Sequence, residues 1–427
     1  MVRERDRPGD LPYGAPSDSA DLRDRLEADR ATGDTFPERT RMTRLLDDDL
    51  LARIHDRAPA YDRENAFPRE DFDDLRTAGY LAALVPERFG GSGLSLEDVT
   101  AEQSRLAQAA PATALAVNMH LVWTAVAKTL LDRGDDSLEF VLREAAAGEV
   151  FAFGVSEAGN DLVLFGSTVD AAPRDDGGYA YTGTKPFTSL SPVWTRLGTF
   201  GLDSTSEDAP RIVWGFLDRS AEGIEIREDW DTLGQRATQS NTTVLRGAVV
   251  AADRVVRRLP PGPNPDPLVF GVFVNFEILL ASVYAGIAHR AVALAAETAR
   301  HRTSLKLGGA PRSDDPDVRR RIAAAALLDD GLDPQIRSLA RDVDQLVDHG
   351  RWWFAKASGL KVRVTEQAKA VVDTAILVGG GSGYSASSEL SRLYRDVLAG
   401  AFNPSSEDSA LTTIATTLLG PVTTPGS

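Results

Sequence analysis

A chain of 427 residues, 42% hydrophobic and 26% charged, carries apolar side chain enough for two or three cores, at roughly 150 residues per domain. Its net charge of −16 argues against nucleic acid and anionic membrane as partners, because both repel an acidic surface. The absence of cysteine excludes disulfides, thiolate-held zinc or iron–sulfur centres and any thiol nucleophile.

Residues 1–43 are dominated by Arg, Asp, Pro, Gly and Ser, too poor in aliphatic side chains to offset ordering entropy, and read as a flexible tail. No apolar stretch follows Met1 as a secretory signal requires, so a cytoplasmic protein is expected. Over 44–149 the pattern is helical: Leu50, Leu51 and Ile54, then Phe72, Leu75 and Leu81, recur at three- and four-residue steps. Ser95 with Asp98 three positions later marks a helix start. Ala109–Leu131 is apolar on most sides and predicts a buried helix.

At Val150 the texture changes to short alternating segments near 150–155, 178–182, 197–201, 211–216 and 242–250, separated by turns such as Asp175-Asp176-Gly177-Gly178. They predict a β-barrel or sandwich, closed off by the stiff proline-rich stretch Leu259–Pro265. Helical periodicity returns near 267–305, 315–348, 351–378 and 386–399, with Pro334 expected to kink or split the second segment. The apolar run from Pro267 is interrupted by Asn275, Glu277, His289 and Arg290 before an unbroken span of about 20 residues accrues, so it reads as a core helix and not a membrane crossing. The expected fold class is α+β: an N-terminal helical domain (44–149), a central β-barrel or sandwich domain (150–262) and a C-terminal four-helix bundle (263–427).

No GxGxxG follows a strand, and there is no Walker A, GxSxG or HExxH sequence. His55, His120, His289, His301 and His349 are scattered singly, so no metal site is expected.

Several segments do stand in a telling order. Pro86-Glu87-Arg88-Phe89-Gly90-Gly91-Ser92-Gly93 lies in the first helical region. Ser156-Glu157-Ala158-Gly159-Asn160-Asp161, Thr182-Gly183-Thr184-Lys185-Pro186-Phe187-Thr188-Ser189 and Leu233-Gly234-Gln235-Arg236 lie in the β region. Gly379-Gly380-Gly381-Ser382-Gly383-Tyr384, followed by Tyr394-Arg395-Asp396, closes the chain. In this order, across helical, β and helical regions, they resemble the acyl-CoA dehydrogenase family over residues 45–420.

The resemblance implies FAD as cofactor. By family position, Val155, Ser156, Phe187, Thr188 and Ser189 cradle the isoalloxazine, where hydroxyls and amides tune the flavin and an aromatic covers a face. Arg302 sits near the pyrophosphate, where a guanidinium makes charge-assisted bonds. Gly380, Gly381 and Gly383 form a loop that touches FAD from a neighbouring subunit, which implies a homodimer or homotetramer. Arg236 and Ser240 lie near the substrate. The family's Tyr-Glu-Gly-Thr segment, which supplies the catalytic base, falls on Asn403-Pro404-Ser405-Ser406; Ser406 takes the threonine's place beside the cofactor, but Pro404 replaces the glutamate.

Three acids are candidates for the displaced base. Glu277 lies on the first bundle helix, one residue past the position (Phe276) where some family members carry theirs; Glu407 and Asp408 stand near the start of the last helix, where negative charge also suits a helix N-terminus. One reading is therefore FAD-dependent α,β-dehydrogenation of an acyl thioester on CoA or a carrier protein, with an electron-transfer partner. A second is the family's flavin monooxygenase branch, which lacks the glutamate, receives reduced flavin from a reductase and oxygenates N, S or C with O2. A third is a catalytically inactive FAD-binding homologue.

Overall fold

The first helix begins at a cap, Asp47, whose carboxylate accepts from the Leu50 amide, in a computed structural model that describes residues 44–160, 162–206 and 209–422. The expected tail at 1–43 lies outside the described residues. That first helix is one of five in order: α1 (Asp48–Glu64), α2 (Arg69–Thr77), α3 (Leu96–Ala109), α4 (Pro111–Asp132) and α5 (Glu139–Ala146). Ser95 and Asp98 form the expected reciprocal cap on α3, each side chain accepting from the other's backbone amide. Pro111 opens α4, where a missing N–H costs nothing.

Eight strands, β1 (Phe151–Gly154), β2 (Asp170–Pro173), β3 (Tyr179–Lys185), β4 (Arg196–Asp203), β5 (Arg211–Asp218), β6 (Ile224–Ile226), β7 (Thr243–Val250) and β8 (Val255–Leu259), join one sheet. Its order is β6-β7-β3-β2-β4-β5-β8, with β1 pairing parallel to β4. The expected strands all appear, and β2, β6 and β8 are additions of four, three and five residues. Trp123 of α4 fastens the sheet to the helices: its indole N–H donates to Ala152 O at 3.0 Å. Gly198 of β4 permits this, since a Cβ there would lie 2.3 Å from the indole ring.

The chain returns to helix at α6 (Pro267–His301), capped by Asp266, followed by α7 (Pro316–Asp330), α8 (Leu332–Asp344), α9 (Trp352–Gly379), α10 (Glu389–Leu398) and α11 (Glu407–Leu419). The expected helix over 315–348 is two, divided at Gly331. Pro334 cannot donate to residue 330, so the second helix restarts with Pro334 in its first turn, where the amide would be unpaired anyway. α4 and α6 are both long and apolar enough to cross a membrane, but 89% and 83% of their most apolar windows are buried inside the protein. They are core helices. α6 packs against α3, α4 and α9. At Gly286 it meets α3 backbone to backbone, a Cβ there falling 2.3 Å from Ser104 O.

Candidate active site

One of the sequence-derived groups lies where the sheet meets α6, and a second is held by the next residue along that helix. Phe153, at the end of β1, stacks on Phe276 of α6, centroids 5.4 Å apart and rings 18° from parallel. Just beyond Phe153 the chain supplies Val155 and Ser156, the former buried and the latter half-buried. Beyond β3 lie Phe187, Thr188 and Ser189. Phe187 is held at φ +59°, is 61% exposed as a residue, and sets its ring edge-on to Trp230. A bulky residue with positive φ is costly and marks a backbone constrained for some purpose. Thr188 and Ser189 are buried; the Ser189 and Ser240 hydroxyls lie 2.7 Å apart, and Ser240 in turn donates to Thr238 Oγ1 at 2.8 Å.

Two further residues inside these motifs were not singled out from sequence. Lys185 and Glu157 meet at 2.5 Å with neither side chain exposed. Glu157 also accepts from the Ser167 hydroxyl and the Thr168 amide, so this one carboxylate gathers the loop from 156 to 168 onto β3. Burial draws the Lys185 ammonium down to about 8, against the pull of Glu157. For Glu157 burial acts upward, but Lys185 and the loop hydroxyls and amides bring the carboxyl below its ordinary value.

The second group surrounds Ser405. Glu277 is fully buried on α6, and its Oε1 accepts from the Ser405 amide at 3.0 Å and from the Ser405 hydroxyl. Its Oε2 has no hydrogen-bond partner among the described residues. Lys361 of α9, also buried, donates to the carbonyls of Gly400, Asn403 and Ser405 at 2.6, 2.7 and 2.8 Å. Burial pushes the Glu277 carboxyl up, opposed by Ser405 and by the Lys361 charge. Burial likewise draws Lys361 down, opposed by Glu277. The Tyr284 hydroxyl donates to Asn403 Oδ1. Ser406, expected beside the cofactor, caps α11 by accepting from the Ser409 amide. Glu407 and Asp408 stand exposed in that helix's first turn, the place where negative charge offsets the helix dipole.

The other residues lie apart. Arg236 gives Nε to Asp62 O at 2.8 Å and Nη1 to Thr232 O at 3.1 Å, pinning the 231–240 loop to the end of α1. Arg302 donates to Gly379 O at 2.9 Å, and Arg312, a residue the sequence did not single out, donates to Val378 O at 2.8 Å. Together they fasten the carbonyl end of α9 just before Gly380, whose φ of +61° suits only glycine. Gly381 is exposed and a Cβ there would meet nothing within 4 Å, whereas Gly383 is buried. Among the described residues, no hydrogen bond joins Arg302 or the Gly380–Gly383 turn to the group around Phe187 and Ser405.

A flavin fits these surfaces. The exposed Phe187 offers a ring face, the neighbouring amides and hydroxyls offer polar contacts to a ring edge, and the open space around Gly381 admits close backbone approach. No three potential metal ligands cluster among the described residues. Buried His120 accepts from the Phe151 amide and faces Leu81 O, and burial lowers it to about 4.

Comparisons with known proteins agree. The acyl-CoA dehydrogenase N-terminal domain matches residues 38–149 and the acyl-CoA dehydrogenase C-terminal domain residues 278–403. The amino sugar nitrososynthase DnmZ of Streptomyces peucetius is 31% identical over 80% of this chain and 84% of its own length. The L-evernosamine nitrososynthase of a Micromonospora species is also 31% identical, over 83% and 85%. Among solved structures, KijD3 in complex with FMN and dTDP-3-amino-2,3,6-trideoxy-4-keto-3-methyl-D-glucose superposes with a TM-score of 0.78 at 26% identity, covering 87% of this chain and 91% of that one. Motif order, fold, surfaces and relatives thus converge: this chain belongs to the acyl-CoA dehydrogenase family and is a flavoprotein oxidoreductase.

Proposed function

We propose that this flavoprotein is a monooxygenase that oxidises the amine of a nucleotide-linked amino sugar, using reduced flavin, FMN or FAD, and O2. The observation that carries this reading is the wall around Pro404. Where the family's dehydrogenases hold a carboxylate to take an α-proton, this chain has a proline flanked by Asn403 and Ser405. Of the neighbouring acids, Glu277 turns Oε1 to Ser405, and Glu407 and Asp408 lie exposed in the first turn of α11. General-base catalysis requires a positioned base within reach of the proton, and the side chains of Asn403 and Pro404 supply none. The nitrososynthase relatives, and the sugar nucleotide bound to KijD3, support an amine on a nucleotide-linked sugar as substrate.

Reduced flavin, when bound, supplies the electrons that activate O2. Phe187 would cover a ring face, and the Thr188 and Ser189 segment would border its polar edge. Arg302 and the Gly380–Gly383 turn would serve a phosphate-bearing end, from the same chain or from a neighbouring copy in a homo-oligomer. A flavin reductase would be the partner that supplies reducing equivalents.

The test is incubation with a reductase-generated supply of FMNH2 or FADH2, air and a dTDP-linked amino sugar, followed by mass spectrometry of the sugar. Addition of oxygen at the amine is expected. An unchanged sugar, together with anaerobic bleaching of the oxidised flavin by acyl thioesters alone, would replace this reading with dehydrogenation.

A further inference from the structure

Resting on that reading, we infer that Glu277 and Lys361 are positioning residues of the active site, gripping Ser405 from opposite ends and so fixing the wall that residues 403–406 form. The geometry is reciprocal. Glu277 takes the Ser405 amide and hydroxyl, while Lys361 takes the Ser405 carbonyl. The two residues come from α6 and α9, which pack along each other, so one loop residue is fixed by two core helices at once. Lys361 places its three hydrogen bonds on the carbonyls of residues 400, 403 and 405. An ammonium has three N–H donors, so the turn is wrapped around a fully committed cation.

Two consequences follow for what faces the substrate. Ser405 cannot swing out as a nucleophile or proton donor while Glu277 holds its hydroxyl. Asn403, with its carbonyl oxygen taken by Tyr284, keeps its amide N–H donors for other groups. The wall is therefore held from behind by both formal charges, and of its donors the Asn403 side-chain N–H groups are the ones left for a ligand.

A charge couple in the core also stabilises the fold, so the test separates stability from positioning. Wild type, Glu277→Leu, Lys361→Met, the double variant Glu277→Leu/Lys361→Met, and Glu277→Gln are compared as full-length protein. The readouts are melting temperature, affinity and visible spectrum of bound oxidised flavin, and kcat and KM. Each apolar single variant strands a buried charge and lowers the melting temperature, while the double variant removes both charges and regains part of it, the remainder staying lost with the carbonyls of residues 400, 403 and 405 and the Ser405 donors left unpaired. Positioning predicts that the double variant nevertheless keeps a shifted flavin spectrum and a kcat reduced about 10- to 100-fold, the loss that an ångström-scale misplacement produces. It also predicts that Glu277→Gln, which retains an acceptor toward Ser405, stays nearer wild type in spectrum than Glu277→Leu.

A double variant with wild-type spectrum and kcat would overturn the inference and leave the couple a role in stability alone. Equal spectral change in Glu277→Gln and Glu277→Leu would overturn it also, including where the double variant fails to fold. If wild type oxidises no amine, the proposed function fails by itself, and the positioning role is still decided by flavin affinity and spectrum.

Discussion

Lys185 and Glu157 face one another at 2.5 Å with both side chains shut away from solvent, and the Lys185 ammonium also lies 4.2 Å from the centre of the Phe200 ring. The contact joins the end of β3 to the loop that begins with Ser156, so the two stretches expected to border the flavin share one electrostatic anchor.

Removing one member should therefore be felt twice. Lys185→Met leaves Glu157 buried without its cation, which costs about 3–5 kcal/mol in comparable sites. A marked drop in melting temperature and loss of flavin on gel filtration are expected together. Calorimetry and flavin absorbance check this; retained flavin in a destabilised variant would uncouple the loop from the cofactor.

Phe187 offers the opposite combination. The residue is largely in solvent and its ring touches Trp230 by an edge, so Phe187→Ala should change stability by less than about 1 kcal/mol. Flavin affinity, followed by fluorescence titration, should weaken roughly 5-fold, in line with the about 1 kcal/mol that an aromatic stacking contact contributes. Unchanged affinity would place the flavin elsewhere.

The break between α7 and α8 is bridged by His289, whose ring nitrogens lie 2.7 Å from Asp329 and 3.0 Å from Asp333. Burial works against its charge, but the two carboxylates prevail and raise it to about 9. Its stabilising contribution is thus complete below its ordinary value near 6.5 and fades as pH rises through 9. Glu389 behaves inversely. Burial would raise it, yet Arg290 and His55 hold it at about 2, so its contribution is present above about 4.5 and lost as pH falls through 2. Melting temperatures measured across pH should show the alkaline decline in wild type and a flatter alkaline limb in His289→Gln.

Two glycines provide a matched pair. Gly286→Ala drives a methyl into Ser104 O and the Ala107 Cβ, and overpacking of this kind typically costs about 1–3 kcal/mol. Gly381→Ala meets no atom of its own chain and should leave stability unchanged. If the cofactor approaches this turn, the added methyl should still weaken flavin binding several-fold; full flavin affinity would remove Gly381 from the site.

Much of this was legible in the sequence because it depends on local pattern. The Ser95 cap and the apolar helices α4 and α6 are properties of neighbouring residues. β2, β6 and β8 escaped because four, three and five residues hold too few alternations to show a period. Lys361 escaped for another reason. On sequence it is one basic residue in a helix, the commonest solvent-facing choice, and only the folded turn at 400–405 shows that its ammonium is enclosed. Glu277 drew attention as an acid in an apolar run, but its partner lies 128 residues away, a distance no local pattern spans. Arg236 read as a substrate contact by position in its motif, whereas the fold gives its Nε and Nη1 to backbone carbonyls.

The 35-residue helix α6 has one more implication, for dissection of the protein. Because it presents apolar surface both to α3 and α4 and to α9, cutting the chain in the loop at 260–266 would strip each fragment of a face it needs. A 44–262 fragment would expose the sides of α3 and α4 that α6 covers, and a 263–427 fragment would expose the surface of α6 that α3 and α4 cover. Neither piece should be soluble when expressed alone, while co-expression of the two should reconstitute the fold by complementation.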